Sequence, residues 1–168
     1  MLNLSEFIGD GSKPLEFYKN AYSENNESIK AILGIMRTNL ILENYLVAIE
    51  WGDVAIKNRS KIERMYFGDL YWNMAVAFWG AGADYYDRGI EVVDLINENK
   101  KNVSSSLKRD ATNNLKIAIE YFESAGDYFN SAADYEIFEG ELRYNECQTW
   151  IKQIENIYLP FLNDRAPE

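Results

Sequence analysis

The chain has 168 residues and a mass of 19.5 kDa, is 47% apolar, and carries 27 acidic against 17 basic side chains for a formal net charge of −10. A chain of this length buries on the order of 70% of the surface it exposes when unfolded, so its core needs neither disulfide nor metal. With no histidine and a single cysteine, Cys147, it excludes a histidine-activated nucleophile, histidine-ligated zinc or iron, an intrachain disulfide and a cysteine-held structural zinc.

The acidity is uneven: residues 111 to 168 hold 11 acids and 4 bases. A field of that sign repels phosphate, which argues against nucleic acid and anionic membrane and for a basic protein segment as partner. The first ten residues place no basic side chain ahead of an apolar stretch and do not read as a secretory leader. The longest weakly polar run, Met74 to Ala83, is half of what a bilayer span needs, and the expected compartment is the cytoplasm.

Apolar residues recur at three- and four-residue steps throughout and no β-branched alternation occurs, so the expected fold is all-α. Ser12 followed by Lys13-Pro14 opens a short helix to about Tyr22, and residues 23 to 26 form a loop. A helical pattern fills residues 27 to 58, with a turn somewhere in Thr38 to Asn44, where poor helix formers gather. Ser60-Lys61-Ile62-Glu63 fits a capping box and opens a helix to about Trp79, which Gly80-Ala81-Gly82 ends. A fourth element covers Asp84 to Asn99, and residues 100 to 106 read as a linker that marks the one subdivision of a single domain over residues 1 to 168. Helical pattern resumes at Leu107 and runs to about Leu159, with a break expected near Gly126 or Gly140 and Pro160 near the stop.

One pattern recurs across these segments: Tyr45-x-x-Ala48-Ile-Glu-Trp51, Tyr86-x-x-Gly89-Ile-Glu-Val92, Leu115-x-x-Ala118-Ile-Glu-Tyr121 and, more weakly, Tyr144-x-x-Cys147-Gln-Thr-Trp150. A bulky residue, a small one three on and a bulky one three further share one helical face, with the small residue where a neighbouring helix comes close. These runs, with Asn44-Tyr45 ahead of Ala48-Ile-Glu50, Gly82 to Tyr86 ahead of Gly89-Ile-Glu91, Ala118 to Ala125, and Trp72 to Trp79, resemble tetratricopeptide-type repeats over roughly residues 40 to 150. The resemblance implies antiparallel helix pairs, as a repeat array or a compact bundle of six to seven helices, presenting a groove to a peptide or protein.

From Glu120 the chain also repeats every seven residues, aligning Tyr121, Tyr128, Tyr135 and Leu142 in one stripe and Glu120, Asp127, Asp134 and Glu141 in another. Tyrosines at that spacing read as a core seam with hydroxyls at its rim, and the acids beside them suit a lysine- or arginine-rich segment. Cys147 sits in a small-residue slot and reads as a buried, inert thiol.

The expected function is therefore a non-catalytic protein interaction or scaffold module needing no cofactor and no metal. Its partner, a basic protein or peptide, would meet an aromatic groove around Trp72, Trp79, Tyr85 and Tyr86 and an acidic face along Asp127, Asp134 and Glu141. Two rivals carry different chemistry. Glu120-x-x-Glu123, Glu136-x-x-Glu139 and Glu91-x-x-Asp94 are similar to the paired acids of all-helical, magnesium-dependent nucleotide pyrophosphohydrolases, although sixteen residues on one helix would part the first two pairs by about 24 Å. A self-associating bundle would instead bury its aromatic surface in a homodimer.

Overall fold

Helix follows from the apolar recurrence almost end to end, and no strand forms among the described residues of the computed structural model, which are 12–26, 28–99 and 103–164. Helix α1 spans Ser12–Glu24, with Pro14 in the first turn, where a missing N–H costs nothing. Helix α2, Ile29–Ile41, starts at Ser28, whose hydroxyl accepts from the Ala31 amide at 3.3 Å, and α3 covers Tyr45–Lys57. Helix α4 runs Phe67–Asn99, 33 residues or about 50 Å, and α5 runs Ser105–Ala133 behind the Ser104 cap. Helix α6, Glu139–Gln153, continues through one π turn, Ile154–Tyr158, into α7, Leu159–Asp164.

The turn expected in 38–44 forms at residues 42–44, later than the threonine and asparagine alone imply. Thr38 and Asn39 stay in α2 because each returns its side-chain donor to a carbonyl four residues back, Gly34 and Ile35, and so can be buried. The helix ends one residue triplet later with Glu43 in the left-handed region at φ 58°, the Glu43 amide bonded to the Leu40 carbonyl and the Asn44 amide to Asn39. The α5–α6 corner repeats the device: Glu136 has φ 69°, its amide reaches the Ala133 carbonyl and the Ile137 amide reaches Ala132. Both are Schellman closures in which glutamate holds the position that glycine usually takes.

Three expectations about breaks are corrected, and a fourth is met at one of its two places. Ser60 opens no helix: it lies in a 3-10 turn, Arg59–Lys61, followed by a second, Arg64–Tyr66, because Ile62 extends (φ −93°, ψ 129°) and packs among α2, α3 and α4. Gly80 and Gly82 end nothing. Both are buried in the middle of α4, Gly80 under the ring of Tyr45 and Gly82 against Phe122 and Tyr121, so each is small because a neighbour sits on it. Of the two places expected for the next break, Gly126 lies inside α5 beneath Tyr144, and the break comes at residues 134–138, next to Gly140 in the first turn of α6. Pro160 stops nothing either: the Leu159 amide bonds the Ile154 carbonyl five residues back, and that wider turn takes up a proline that lacks the N–H of a tighter one. Residues 100–102 of the expected linker lie outside the described residues, as do 1–11; helix resumes at Ser105 rather than Leu107.

From α3 to α6 each helix runs antiparallel to the next. Tyr45 meets Gly80 while Gly52 meets Met74 at α3–α4, and Gly126 meets Tyr144 and Cys147 while Gly140 meets Phe129 and Ala133 at α5–α6. The four small positions of the recurring pattern, Ala48, Gly89, Ala118 and Cys147, are all buried. The long α4–α5 pair forms the spine. One apolar cluster joins α2, α3 and the first half of α4 around Met36, Leu70 and Met74; a second joins α4, α5 and α6 around Leu115, Phe122 and Ile154. Each such large side chain contributes about 1.5–3 kcal/mol by leaving water.

Candidate functional site

The tyrosine stripe is one side of an aromatic zipper. Tyr71, Phe78 and Tyr85 of α4 face Tyr135, in the turn after α5, and Tyr128 and Tyr121 of α5, a seven-residue step up one side matching a step down the other, with ring centroids at 5.5, 5.5 and 5.6 Å. Diagonal contacts, Tyr71 with Tyr128 at 6.1 Å and Phe78 with Tyr121 at 5.9 Å, close the ladder. Leu142 does not join it; the turn at 134–138 puts it out of register and leaves it 60% exposed. Burial raises the phenol pKa of Tyr121 and Tyr128, with Tyr85 and Glu120 adding to the first and Asp53, Tyr71 and Asp127 to the second, so these hydroxyls stay neutral.

The four rings expected to line one groove are parted. Trp72 is half-buried edge-on to Phe129 at 5.1 Å. Tyr86 is half-buried between Trp150 at 5.1 Å and Tyr158 at 6.0 Å, and its hydroxyl donates to that of Tyr158, which also accepts from Gln153. Burial and this bond raise the Tyr86 pKa strongly. Trp79 is on the same seven-residue line yet 39% exposed, and Tyr85 points about 100° away from Tyr86. Asp127, Asp134 and Glu141 are exposed, on α5, in the following turn and in the first turn of α6. Asp134 also lines a polar cleft of about 320 Å³ with Arg64, Met65 and Glu136, where the Arg64 guanidinium stands over the Tyr135 ring.

Tyr85 belongs to a different cleft, of about 250 Å³, at a step in the fold. Helix α3 begins at Tyr45, opposite Gly80, while α4 continues for nineteen residues beyond. The floor and walls are Ala81, Tyr85, Tyr45, Leu46 and Val47, with Leu46 53% and Val47 39% exposed. Glu43 and Asp84 bring carboxylates to the mouth, and Arg88 lays its guanidinium 5.3 Å from the Tyr85 ring centre. Desolvation first, then the Glu43 and Asp84 charges, raise the Tyr45 pKa and keep its hydroxyl protonated.

Sequence reasoning found only Tyr85 of this cleft. The rest comes from chain segments forty residues apart that the Gly80–Tyr45 contact brings together, and no local spacing announces it.

No family model, no curated protein and no solved structure matches the chain. Among the described residues no three acidic or thiol side chains gather to hold a metal ion. Glu120 and Glu123 are on α5, whereas Glu136 and Glu139 lie at the corner beyond it. Cys147 is buried, and burial pushes its thiol up to about 11, so it is protonated and poorly nucleophilic at neutral pH. No helix among the described residues is long and apolar enough to cross a membrane.

Proposed function

We propose that the protein is a non-catalytic interaction module, an antiparallel helical array similar in plan to tetratricopeptide-type repeats, that holds a basic protein or peptide partner. The observation that carries the reading is the α3–α4 cleft: apolar and aromatic walls, two carboxylates at the mouth, and a volume of about 250 Å³. Such a lining suits a side chain delivered by another chain. The exposed Trp79 and the exposed acids Asp127, Asp134 and Glu141 offer further aromatic and acidic surface to such a partner.

Affinity capture from host extract tests this reading, with the wild-type chain beside Leu46→Asp, in the wall of the cleft, and an Asp127→Asn, Asp134→Asn, Glu141→Gln variant. All four side chains are exposed, so folding should be spared. A basic protein retained at low salt, released as salt rises and retained less by the variants is the expected result. Equal retention by all three chains, or nothing retained, would overturn it.

A further inference from the structure

The α3–α4 cleft holds three oxygen acceptors that receive no proton from their own chain. Among the described residues, the Glu43 and Asp84 carboxylates and the Tyr45 hydroxyl make no hydrogen bond or ion pair inside the molecule. Arg88 follows Asp84 at the four-residue spacing that favours a pair, yet its guanidinium lies 5.3 Å from the Tyr85 ring centre instead. Tyr121 is stacked on that same ring at 5.6 Å, so the π surface of Tyr85 is already engaged. Asn44 is committed as well, its amide donating to the Asn39 side chain. Between the free acceptors and the open side run the apolar walls, Ala81, Leu46 and Val47, and exposed Ile41 and Leu42 continue that surface on the far side of Glu43. The volume, about 250 Å³, falls below the range of about 300–1,000 Å³ usual for small-molecule sites and has room for one long side chain.

We propose that the cleft takes the side chain of a lysine carried by the partner, its methylene stem along Ala81, Leu46 and Val47 and its ammonium donating to Glu43, Asp84 and the Tyr45 hydroxyl. The inference rests on the interaction-module reading and names the residue that the cleft recognises. Lysine matches the lining group by group: an apolar stem for the apolar walls, and a compact head with three donors for three acceptors. Its charge complements the two carboxylates, and Tyr45, held protonated by burial and by those same charges, is a neutral phenol that can accept. Arginine fits less well, because a planar guanidinium gains most by stacking on an aromatic face and Arg88 already stands at the one the cleft offers. An anionic group would meet the acid pair and be repelled.

The probe is a fluorescein-labelled peptide with one lysine between leucines, beside two peptides in which arginine or norleucine replaces the lysine, each titrated by fluorescence anisotropy in about 0.15 M salt. The lysine peptide should bind, the norleucine peptide about tenfold more weakly and the arginine peptide at least about threefold more weakly. Glu43→Gln and Asp84→Asn should each weaken the lysine peptide by about three- to tenfold. Tyr45→Phe, which keeps the ring over Gly80 and removes only the hydroxyl, should weaken it by about threefold. None of the three should move the norleucine peptide by more than about twofold, which separates lost recognition from lost folding. Glu98→Gln makes the same charge change about 21 Å further along α4, beyond the screening length, and should leave all three peptides within about twofold. Arg88→Gln should strengthen the lysine peptide by about two- to threefold by removing a like charge. Weaker binding on Arg88→Gln, a loss from Glu98→Gln equal to that from Glu43→Gln, or no binding of the lysine peptide would each overturn the proposal. Equal binding of the arginine or norleucine peptide would overturn the lysine assignment and leave the interaction-module reading standing, since capture from extract decides that reading separately.

Discussion

Replacing Gly80 by alanine should destabilise the protein, against the sign that helix propensity alone dictates. In a free helix interior the change stabilises by about 1 kcal/mol. Here a Cβ on residue 80 would collide with the Tyr45 ring, coming 2.6 Å from its Cζ and closer still to two other ring atoms, whereas ordinary contacts begin near 3.4 Å. A rigid ring in a packed site moves only at a cost of about 1–3 kcal/mol, so the net effect is a loss of about 0–2 kcal/mol. In a Tyr45→Ala background the obstacle is gone, and Gly80→Ala should then stabilise by about 1 kcal/mol. The double-mutant cycle, read from guanidinium unfolding midpoints of the four chains, should therefore give a coupling of about 1–3 kcal/mol. If Gly80→Ala stabilises by the same amount in both backgrounds, the close approach of α3 to α4 is not real, and the cleft that depends on it goes with it.

Glu136→Gly and Glu43→Gly should each raise stability by about 0.5–1 kcal/mol, the cost of a side chain in the left-handed region less the added chain entropy of glycine, measured as a rise in unfolding midpoint at unchanged slope. Cys147→Leu should cost about 1–3 kcal/mol by overpacking the slot against Gly126, whereas a thiol reagent should modify Cys147 only at the rate of unfolding; prompt labelling of the native protein would contradict its burial. Stability should fall as pH rises above about 9: the Cys147 thiol, raised from 9.0 to about 11, and the phenols of Tyr45, Tyr86, Tyr121 and Tyr128, raised from 10.0, lose their protons first in the unfolded chain, so unfolding releases protons there and alkali favours it. Urea midpoints from pH 8 to 11 should show a plateau and then a decline; a flat profile would refute the burial of these groups.

The sequence made the interior legible where spacing alone decides it. The bulky-small-bulky runs placed Ala48, Gly89, Ala118 and Cys147 in the core, and the seven-residue tyrosines marked the α4–α5 seam, because both signals are local to one helix. Helix ends were misread wherever a neighbouring helix overrides propensity. Gly80, Gly82 and Gly126 look like stops in isolation and are contact points in the fold, while Glu136, which looks like an ordinary helix residue, sits at the α5–α6 corner. The candidate site was legible only in part for the same reason: Tyr45 cannot be matched with Tyr85 until α4 is known to run on past Gly80, opposite the start of α3.

The most direct measurement is amide chemical-shift mapping of the isotopically labelled protein during titration with a lysine-rich peptide at low salt. Perturbations gathered on residues 43 to 47 and on Ala81, Asp84, Tyr85 and Arg88, fading as salt is added, are what the interaction-module reading predicts. Shifts confined to α6, or an unchanged spectrum at saturating peptide, would contradict it.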